Sequence, residues 1–126
     1  MTEFNIAIEK NIKVTKEDID DIMCSALEGG ICYWCRKAKV VGDYLGEYAS
    51  EQSSRGGVLK LYDSEEDEVY ELTLEKLLNG IKLAVDGNYY EDYDWCDGKT
   101  IDACQVDAEV SDCIVQLSLF GEIVFG

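Results

Sequence analysis

The apolar residues between positions 19 and 27 recur with the period of an α-helix. Thr15 stands just before this run, and Asp18 follows three positions later, which is the spacing of a capping box. Gly29–Gly30 follows the run, and glycine is common where a helix ends in a left-handed residue. The pattern therefore predicts a first helix whose apolar stripe is formed by Ile19, Ile22, Met23, Ala26 and Leu27.

Two further helices are predicted nearer the C-terminus. Thr73 begins one of them, which is expected to stop near Gly87, while Asp107 begins the other and Gly121 ends it. The inward-facing stripes of the two helices are Leu74, Leu77, Leu78, Ile81 and Val85 in the first of them, and Val110, Cys113, Ile114 and Leu117 in the second.

Two runs rich in β-branched and aromatic residues, 58–62 and 68–72, are separated by the polar segment 63–67. This arrangement predicts a β-hairpin with a strongly acidic tip. Helices combined with a hairpin indicate the α+β class. The expected fold is therefore about three helices packed on a small antiparallel sheet, in a single domain that spans residues 1–126.

The remaining segments have less regular patterns. Alternating apolar residues within 4–14 predict one or two short strands, and the apolar runs 31–35 and 122–125 predict one strand each. The run at 31–35 is also compatible with a buried helix, because periodicity does not separate the two structures in so short a run. Residues 42–57 are expected to form a loop that is mobile or functional, given its length.

The charge of the chain is strongly negative and unevenly distributed. Eleven basic and 27 acidic residues give a net charge of −16. Residues 61–126 contain three basic residues against 17 acidic ones, which leaves −14 in this half of the chain. Direct binding to nucleic acid is disfavoured, because such binding depends on Lys and Arg that neutralise phosphates. The acidity indicates either a basic partner or a solubilising surface.

The segment 89–98 combines four aromatic rings with four carboxylates and contains no basic residue. Carboxylates can take the place of phosphates, and rings can stack on Arg guanidinium planes. The alternative is an acidic loop whose rings pack on the protein's own core. The candidate partner-binding residues are Asp63, Glu65, Glu66, Asp67 and Glu68 around the hairpin tip, and Tyr89, Tyr90, Glu91, Asp92, Tyr93, Asp94, Trp95 and Asp97 in the second stretch.

The chain has six cysteines but no histidine. Cys32 and Cys35 have the spacing of half a zinc site or of a redox pair, yet no second pair or histidine completes a four-ligand site. The cysteines are therefore predicted to be reduced thiols that pack as small hydrophobic residues. Without histidine the commonest general base is missing, and no glycine motif for phosphate binding is present. The sequence thus predicts no catalytic residue, no metal and no cofactor, and the protein is not expected to be an enzyme.

No apolar run approaches the roughly 20 residues that a membrane-spanning helix needs. The first residues also lack the basic start and apolar stretch of a signal peptide. The expected location is therefore the cytoplasm, with no membrane partner.

Two stretches, Ala26–Trp34 (ALEGGICYW) and Val115–Gly126 (VQLSLFGEIVFG), resemble a family of small acidic proteins encoded by bacteriophages and integrative mobile elements. The resemblance covers most of the chain, and residues 42–100 are its most variable part. It implies no site residues, since that family has no established activity. It does imply a setting, because small acidic proteins of mobile elements are enriched in inhibitors of host defence, including anti-CRISPR and antirestriction proteins that mimic DNA.

These observations favour an anti-defence inhibitor that binds the basic nucleic-acid groove of a host defence protein, such as a CRISPR effector or a restriction enzyme. One alternative is a sponge that sequesters a nucleotide signal of host immunity. Its cationic groups would be Arg36, Lys37, Lys39 and Arg55, together with the amides of Gly56–Gly57. Another alternative is an accessory phage protein without an inhibitory role. Assembly into homo-oligomers stays open.

Overall fold

The computed structural model describes residues 12–86 and 101–126. Its regular elements are α1 (Lys16–Ser25), β1 (Cys35–Val40), β2 (Leu59–Asp63), β3 (Val69–Leu72), α2 (Leu74–Asp86) and α3 (Ala108–Phe120). A π-helical turn, Ala26–Gly30, follows α1. Short 3-10 turns connect other elements, at Ala49–Glu51, Ser53–Arg55 and Ala103–Gln105. The strands predicted within 4–14 fall mainly outside the described residues, and in the described part Lys13 forms a single bridge.

The three strands form one antiparallel sheet in the order β1-β2-β3. In the register, Val40 lies beside Leu59, and Leu59 lies beside Leu72, so these apolar side chains share one face of the sheet. The next row on this face joins Ala38 to Leu61. Because side chains alternate along a strand, the residues between these rows lie on the outer face. The predicted α+β class, with helices on a small antiparallel sheet, is confirmed.

The core lies between the inner face of the sheet and the helices. The predicted helical stripes are buried or half-buried except at Leu78, which is 43 % exposed, so its place in the inward-facing stripe is wrong. The helix α2 packs closely against α3. The described side chains that are most completely buried include Ile22, Met23, Leu59, Leu61, Leu72, Leu77, Val110 and Ile114. Burial of a large aliphatic side chain contributes about 1.5–3 kcal/mol to folding, so this cluster supplies the main stabilising term. Among the described residues, no helix is long and apolar enough to cross a membrane.

The helix starts lie where the sequence predicts them. The Thr15 hydroxyl oxygen accepts a hydrogen bond from the Asp18 amide at 3.1 Å, and the Asp18 carboxylate accepts one from the Thr15 amide at 2.9 Å. The Asp107 carboxylate accepts a hydrogen bond from the Val110 amide at 2.9 Å at the start of α3. Gly121 follows α3 with a φ of 73°, in the left-handed conformation that favours glycine.

The prediction that the first helix ends at Gly29–Gly30 in a left-handed residue is wrong. Neither glycine adopts a positive φ, and the chain continues from α1 through the π-helical turn instead of stopping in a left-handed residue. A Cβ atom at Gly30 would lie 2.6 Å from both the Ala108 carbonyl oxygen and the Ser111 hydroxyl oxygen. Gly30 is therefore required by the close approach of this turn to α3.

Two of the predicted strands are absent from the described residues. Residues 31–34 form a turn, in which the amides of Trp34 and Cys35 donate to the Ile31 carbonyl at 3.1 and 2.8 Å, and the strand begins only at Cys35. The segment 122–125 has no strand partner and instead hydrogen-bonds to a side chain of α3. In both segments a tertiary contact overrides the local apolar pattern.

Candidate interaction surfaces

The acidic hairpin tip, residues 64–68, is held by the buried carboxylate of Asp63 at the end of β2. One carboxylate oxygen accepts hydrogen bonds from the amides of Glu65 and Glu66 at 2.9 and 3.1 Å. The other oxygen accepts one from the Tyr70 hydroxyl at 2.9 Å. Asp63 is only 4 % exposed, so its carboxylate acts within the protein and we assign it a structural role. It fixes the backbone of the tip from below.

Four carboxylates of the tip are directed to solvent by this arrangement. Glu65, Glu66, Asp67 and Glu68 are all exposed. Among residues 12–86 and 101–126, the only ion pairs join Arg55 to Asp20 and to Glu51, so no described basic residue forms an ion pair with the tip. The tip therefore presents four adjacent negative charges on a fixed turn.

The hydrogen bonds below the tip also shift two pKa values. Donation from the Glu65 and Glu66 amides stabilises the ionised form of Asp63 and lowers the pKa of its carboxyl group. Burial, together with the hydrogen bond to Asp63, raises the pKa of the Tyr70 hydroxyl to about 12. Both shifts favour the charge states in which the Tyr70 hydroxyl donates to an ionised Asp63 carboxylate.

The other predicted surface lies outside the described residues. It comprises Tyr89, Tyr90, Glu91, Asp92, Tyr93, Asp94, Trp95 and Asp97. The described geometry of the candidate acidic surface is therefore that of the hairpin tip.

The cationic residues considered for nucleotide binding separate into two groups. Lys37 and Lys39 lie together on the exposed side of β1. Arg55 lies elsewhere and pairs with Asp20 and Glu51 at 3.5 and 3.9 Å. The amides of Gly56 and Gly57 donate to the Ser53 and Gln52 carbonyls. A phosphate site that uses Arg55 and these amides therefore lacks support in this geometry.

The loop 42–57 is a structured segment whose backbone is held by hydrogen bonds to two of its own side chains. Gln52 is 1 % exposed, and its side-chain amide accepts from the Leu45 amide at 3.0 Å and donates to the Asp43 carbonyl at 3.2 Å. The Glu51 carboxylate accepts from the Glu47 and Tyr48 amides at 2.7 and 3.1 Å.

The same loop exposes three large apolar side chains, and this apolar surface was not predicted from the sequence. The exposed fractions of Tyr44, Leu45 and Tyr48 are 60, 50 and 62 %. The sequence does contain a signal for this surface, since Asp43-Tyr44-Leu45-Gly46-Glu47-Tyr48 mixes acids and rings as residues 89–98 do.

The segments 26–34 and 115–126 meet at the C-terminal tail, residues 122–126. The side-chain oxygen of Gln116 accepts hydrogen bonds from the Val124 and Phe125 amides, both at 2.8 Å. The ring of Phe125 stacks on that of Trp34 with centroids 4.8 Å apart. The Trp34 indole and the Tyr33 hydroxyl both donate to Asp112, at 2.7 and 2.6 Å. The two segments therefore pack against each other in the fold.

An open cavity of about 490 Å³ borders this cluster, lined in part by Tyr33, Asp112, Gln116 and Ile123. The Gln116 amide nitrogen donates to Asp112 at 2.9 Å and to the Tyr33 hydroxyl at 3.2 Å. These polar groups hydrogen-bond to one another instead of converging on the cavity. We therefore assign the cluster to the attachment of the tail and not to a ligand site.

The cysteines follow the prediction only in part. Cys24, Cys32 and Cys35 are free thiols, and Cys35 is buried, which raises the pKa of its thiol. Cys32 is exposed, so it does not pack as a small hydrophobic residue, and that part of the prediction is wrong. Within residues 12–86 and 101–126, no three His, Cys, Asp or Glu side chains are grouped so that they could hold a metal ion.

Comparisons with known proteins add no relative. No family model matches the chain, and neither a curated protein nor a solved structure matches it.

Proposed function

We propose that this protein is a non-catalytic inhibitor of phage or mobile-element origin that binds the basic nucleic-acid groove of a host defence protein, such as a CRISPR effector or a restriction enzyme. The observation that carries the proposal is the hairpin tip, in which a buried Asp63 holds four exposed carboxylates on a fixed turn. The resemblance to acidic proteins of mobile elements supports the setting.

The charge of the tip suits a groove that normally holds phosphates. A nucleic-acid groove carries Lys and Arg whose charges are neutralised when the backbone binds. A turn with four adjacent carboxylates can occupy such a groove, and Arg side chains can bind its carboxylates bidentately. The tip has no described ion pair to break first, so its charges are available to a partner.

A fixed backbone also favours binding. Association with a mobile loop is opposed by the entropy of ordering that loop, and a preorganised segment avoids this cost. The Asp63 hydrogen bonds order the amides of Glu65 and Glu66 before any partner arrives. We therefore expect the tip to act mainly on the association rate, as charged groups at the rim of an interface commonly do.

The test begins with a pull-down of the tagged protein from host lysate, followed by binding kinetics with the recovered partner. The test variant combines Glu65→Gln, Glu66→Gln, Asp67→Asn and Glu68→Gln. The expected result is an association rate at least about tenfold lower at low salt, with a smaller difference at high salt where charges are screened.

The matched control removes four other exposed carboxylates and so changes the net charge by the same amount. It combines Asp21→Asn, Glu28→Gln, Glu75→Gln and Asp86→Asn, all of which are exposed in the structure. A control variant that slows association as much as the tip variant would show that only net charge matters. Unchanged association in both variants would refute charge mimicry. Recovery of phage structural proteins alone would instead favour the accessory role.

A further inference from the structure

The outer face of the sheet carries a compact group of basic residues, although the protein as a whole is acidic. Lys37 and Lys39 lie on the outer side of β1, and Lys60 lies on that of β2. Arg36 joins them at the start of β1. Four of the 11 basic residues in the sequence therefore share this surface, which we call the basic outer face.

A β-bulge brings two of these cations together. The register passes from Cys35 beside Asp63 directly to Lys37 beside Tyr62, which leaves Arg36 as the extra residue. In a regular strand Arg36 and Lys37 would point to opposite faces. Here both lie over the Tyr62 ring, the Arg36 guanidinium carbon at 5.3 Å and the Lys37 ammonium at 5.6 Å from its centroid. Bulges often redirect side chains beside functional sites.

The guanidinium of Arg36 is held in this position from below. Its Nε donates to the Asp63 carbonyl oxygen at 3.2 Å. Arg36 is exposed as a residue. The bulge, this hydrogen bond and the Tyr62 ring therefore preorganise a cation that can bind an oxyanion through two parallel hydrogen bonds.

The other end of the basic outer face places like charges side by side. Lys39 lies directly opposite Lys60 in the register of β1 and β2, and directly opposed like charges destabilise a sheet. The one acidic residue that shares this row is Glu71, on the far side of Lys60. Among the described residues, none of these cations forms an ion pair, since the pairs present all involve Arg55. An anion bound between the two lysines would offset their repulsion.

We propose that the basic outer face binds a small ligand with two or more phosphate groups, such as a nucleotide. Two residues along β1 separate Lys37 from Lys39 by about 7 Å, and the neighbouring strand lies about 5 Å away. Phosphate groups can therefore be contacted at both ends of the face, and the Tyr62 ring lies beside Arg36 and Lys37.

The charge of the rest of the molecule limits the size of this ligand. The acidic tip follows β2 directly, so it borders the end of the face that contains Arg36 and Tyr62. An extended polyanion or an acidic protein would also face these carboxylates and would be repelled. A nucleotide is small enough to be bound mainly by the four cations, with Glu71 as the acidic residue beside Lys60. This proposal does not depend on the acidic tip having a protein partner.

The experiment titrates the purified full chain with inorganic pyrophosphate, with ATP and with adenosine, and follows backbone amide shifts by NMR together with calorimetry. We expect pyrophosphate and ATP to shift the amides of β1 and β2, to bind more weakly as salt is added, and adenosine to have no effect. If ATP binds more tightly than pyrophosphate, the ligand of the basic outer face is a nucleotide. If the two bind equally tightly, the face recognises phosphate groups in general.

The test variant combines Lys39→Gln with Lys60→Gln, and the control combines Lys16→Gln with Lys82→Gln, two exposed lysines on helices with the same total charge change. We expect the test variant to bind ATP at least about tenfold more weakly, because two charge-assisted hydrogen bonds are lost. Without ligand and at low salt, it should melt at a higher temperature than the wild type, because the repulsion between the two lysines is removed. The control should bind ATP as the wild type does.

Three results would overturn the proposal. The first is no shift of β1 or β2 amides with millimolar pyrophosphate or ATP. The second is equal loss of binding in the control variant. The third is tighter binding of poly-glutamate than of ATP, which would make the basic outer face a surface for an acidic protein instead.

Discussion

The hairpin tip and the C-terminal tail are both short segments without regular structure, and in each a buried polar side chain accepts hydrogen bonds from two backbone amides. Asp63 accepts two amide hydrogen bonds from the tip, and Gln116 accepts two from the tail. They differ in what they cover. The tip directs all of its charged side chains to solvent, whereas the tail returns Phe125 to a stack with Trp34.

This difference separates a surface that is available for binding from a segment that completes the core. Changing the tip side chains removes no packing, because none of them is buried. Changing the tail opens an aromatic cluster in which Trp34, Tyr70, Phe120 and Phe125 lie with ring centroids 4.8–6.3 Å apart. Ring pairs of this kind stabilise a fold beyond their buried area. The comparison therefore predicts that mutations in the tail lower the stability of the fold, whereas mutations of the exposed tip side chains do not.

The largest effect is expected at Phe125. Phe125→Ala removes the ring stacked on Trp34, and we expect it to lower the free energy of unfolding by about 3 kcal/mol, the low end for Phe→Ala because the ring is only partly buried. Urea denaturation followed by Trp fluorescence measures the change. The neighbouring Val124→Ala, at an exposed residue, is the control and should be nearly neutral. Equal effects of the two would mean that the tail does not complete the core.

A smaller loss is expected at Gln116. Gln116→Ala leaves the Val124 and Phe125 amides without their acceptor, and we expect a loss of about 1–3 kcal/mol. Combining it with Phe125→Ala tests the coupling, because two residues that attach the same tail should give less than additive losses. Additive losses in urea denaturation would contradict a shared role.

At the tip, Asp63→Asn should change local order more than global stability. The side chain loses its negative charge, so the oxygen that accepts from the Glu65 and Glu66 amides becomes a weaker acceptor, and both amides should exchange with solvent faster. Hydrogen exchange followed by NMR measures this. Asp67→Asn removes a charge from the tip without touching these hydrogen bonds and should leave the exchange rates unchanged. Similar exchange in both variants would show that Asp63 does not order the tip.

The same contacts predict a stability that depends on pH in two windows. The lowered pKa of Asp63 means that its contribution is present above the ordinary value of about 4 and is lost as pH falls through the folded-state pKa. The raised pKa of Tyr70 means that its contribution is complete below about 10 and is lost as pH rises towards about 12. Thermal melts of the wild type and of Tyr70→Phe should differ in slope in the alkaline window, and identical slopes would contradict the assignment.

The smallest effect is expected from neutralising the tip. The variant that combines Glu65→Gln, Glu66→Gln, Asp67→Asn and Glu68→Gln should be as stable as the wild type or more stable by less than about 1 kcal/mol, because four adjacent like charges repel one another. Melting in low and high salt checks this, since salt should remove the difference. A destabilised variant would show that the tip contributes to the stability of the fold, as the tail does.

Local signals in the sequence determined a large part of the fold. A capping side chain marks a helix start, as at Thr15 and Asp107, and two β-rich runs around a polar link mark a hairpin, as at residues 58–72. The acidic tip was predicted for the same reason. All of these depend on neighbours along the chain, so composition and spacing carry the information.

Only the tertiary structure decided which polar residues hold the irregular segments. Gln52, Asp63 and Gln116 are ordinary polar residues in the sequence, yet each is buried and binds backbone groups of a loop, the tip or the tail. The strands predicted at 31–35 and 122–125 failed for the same reason. An apolar run can be buried by a turn or a tail as well as by a strand, and the choice depends on contacts with α3 that periodicity does not encode.

The basic outer face was decided in the same way. The sequence shows Arg36, Lys37 and Lys39 close together, but alternation alone would place Arg36 and Lys37 on opposite faces. The bulge at Arg36 and the pairing of Lys39 with Lys60 depend on the register of β1 against β2, which are joined by an 18-residue connection, 41–58. The sequence by itself therefore determined the three helices, the hairpin and the sign of their charge, whereas the register determined which charges share a surface.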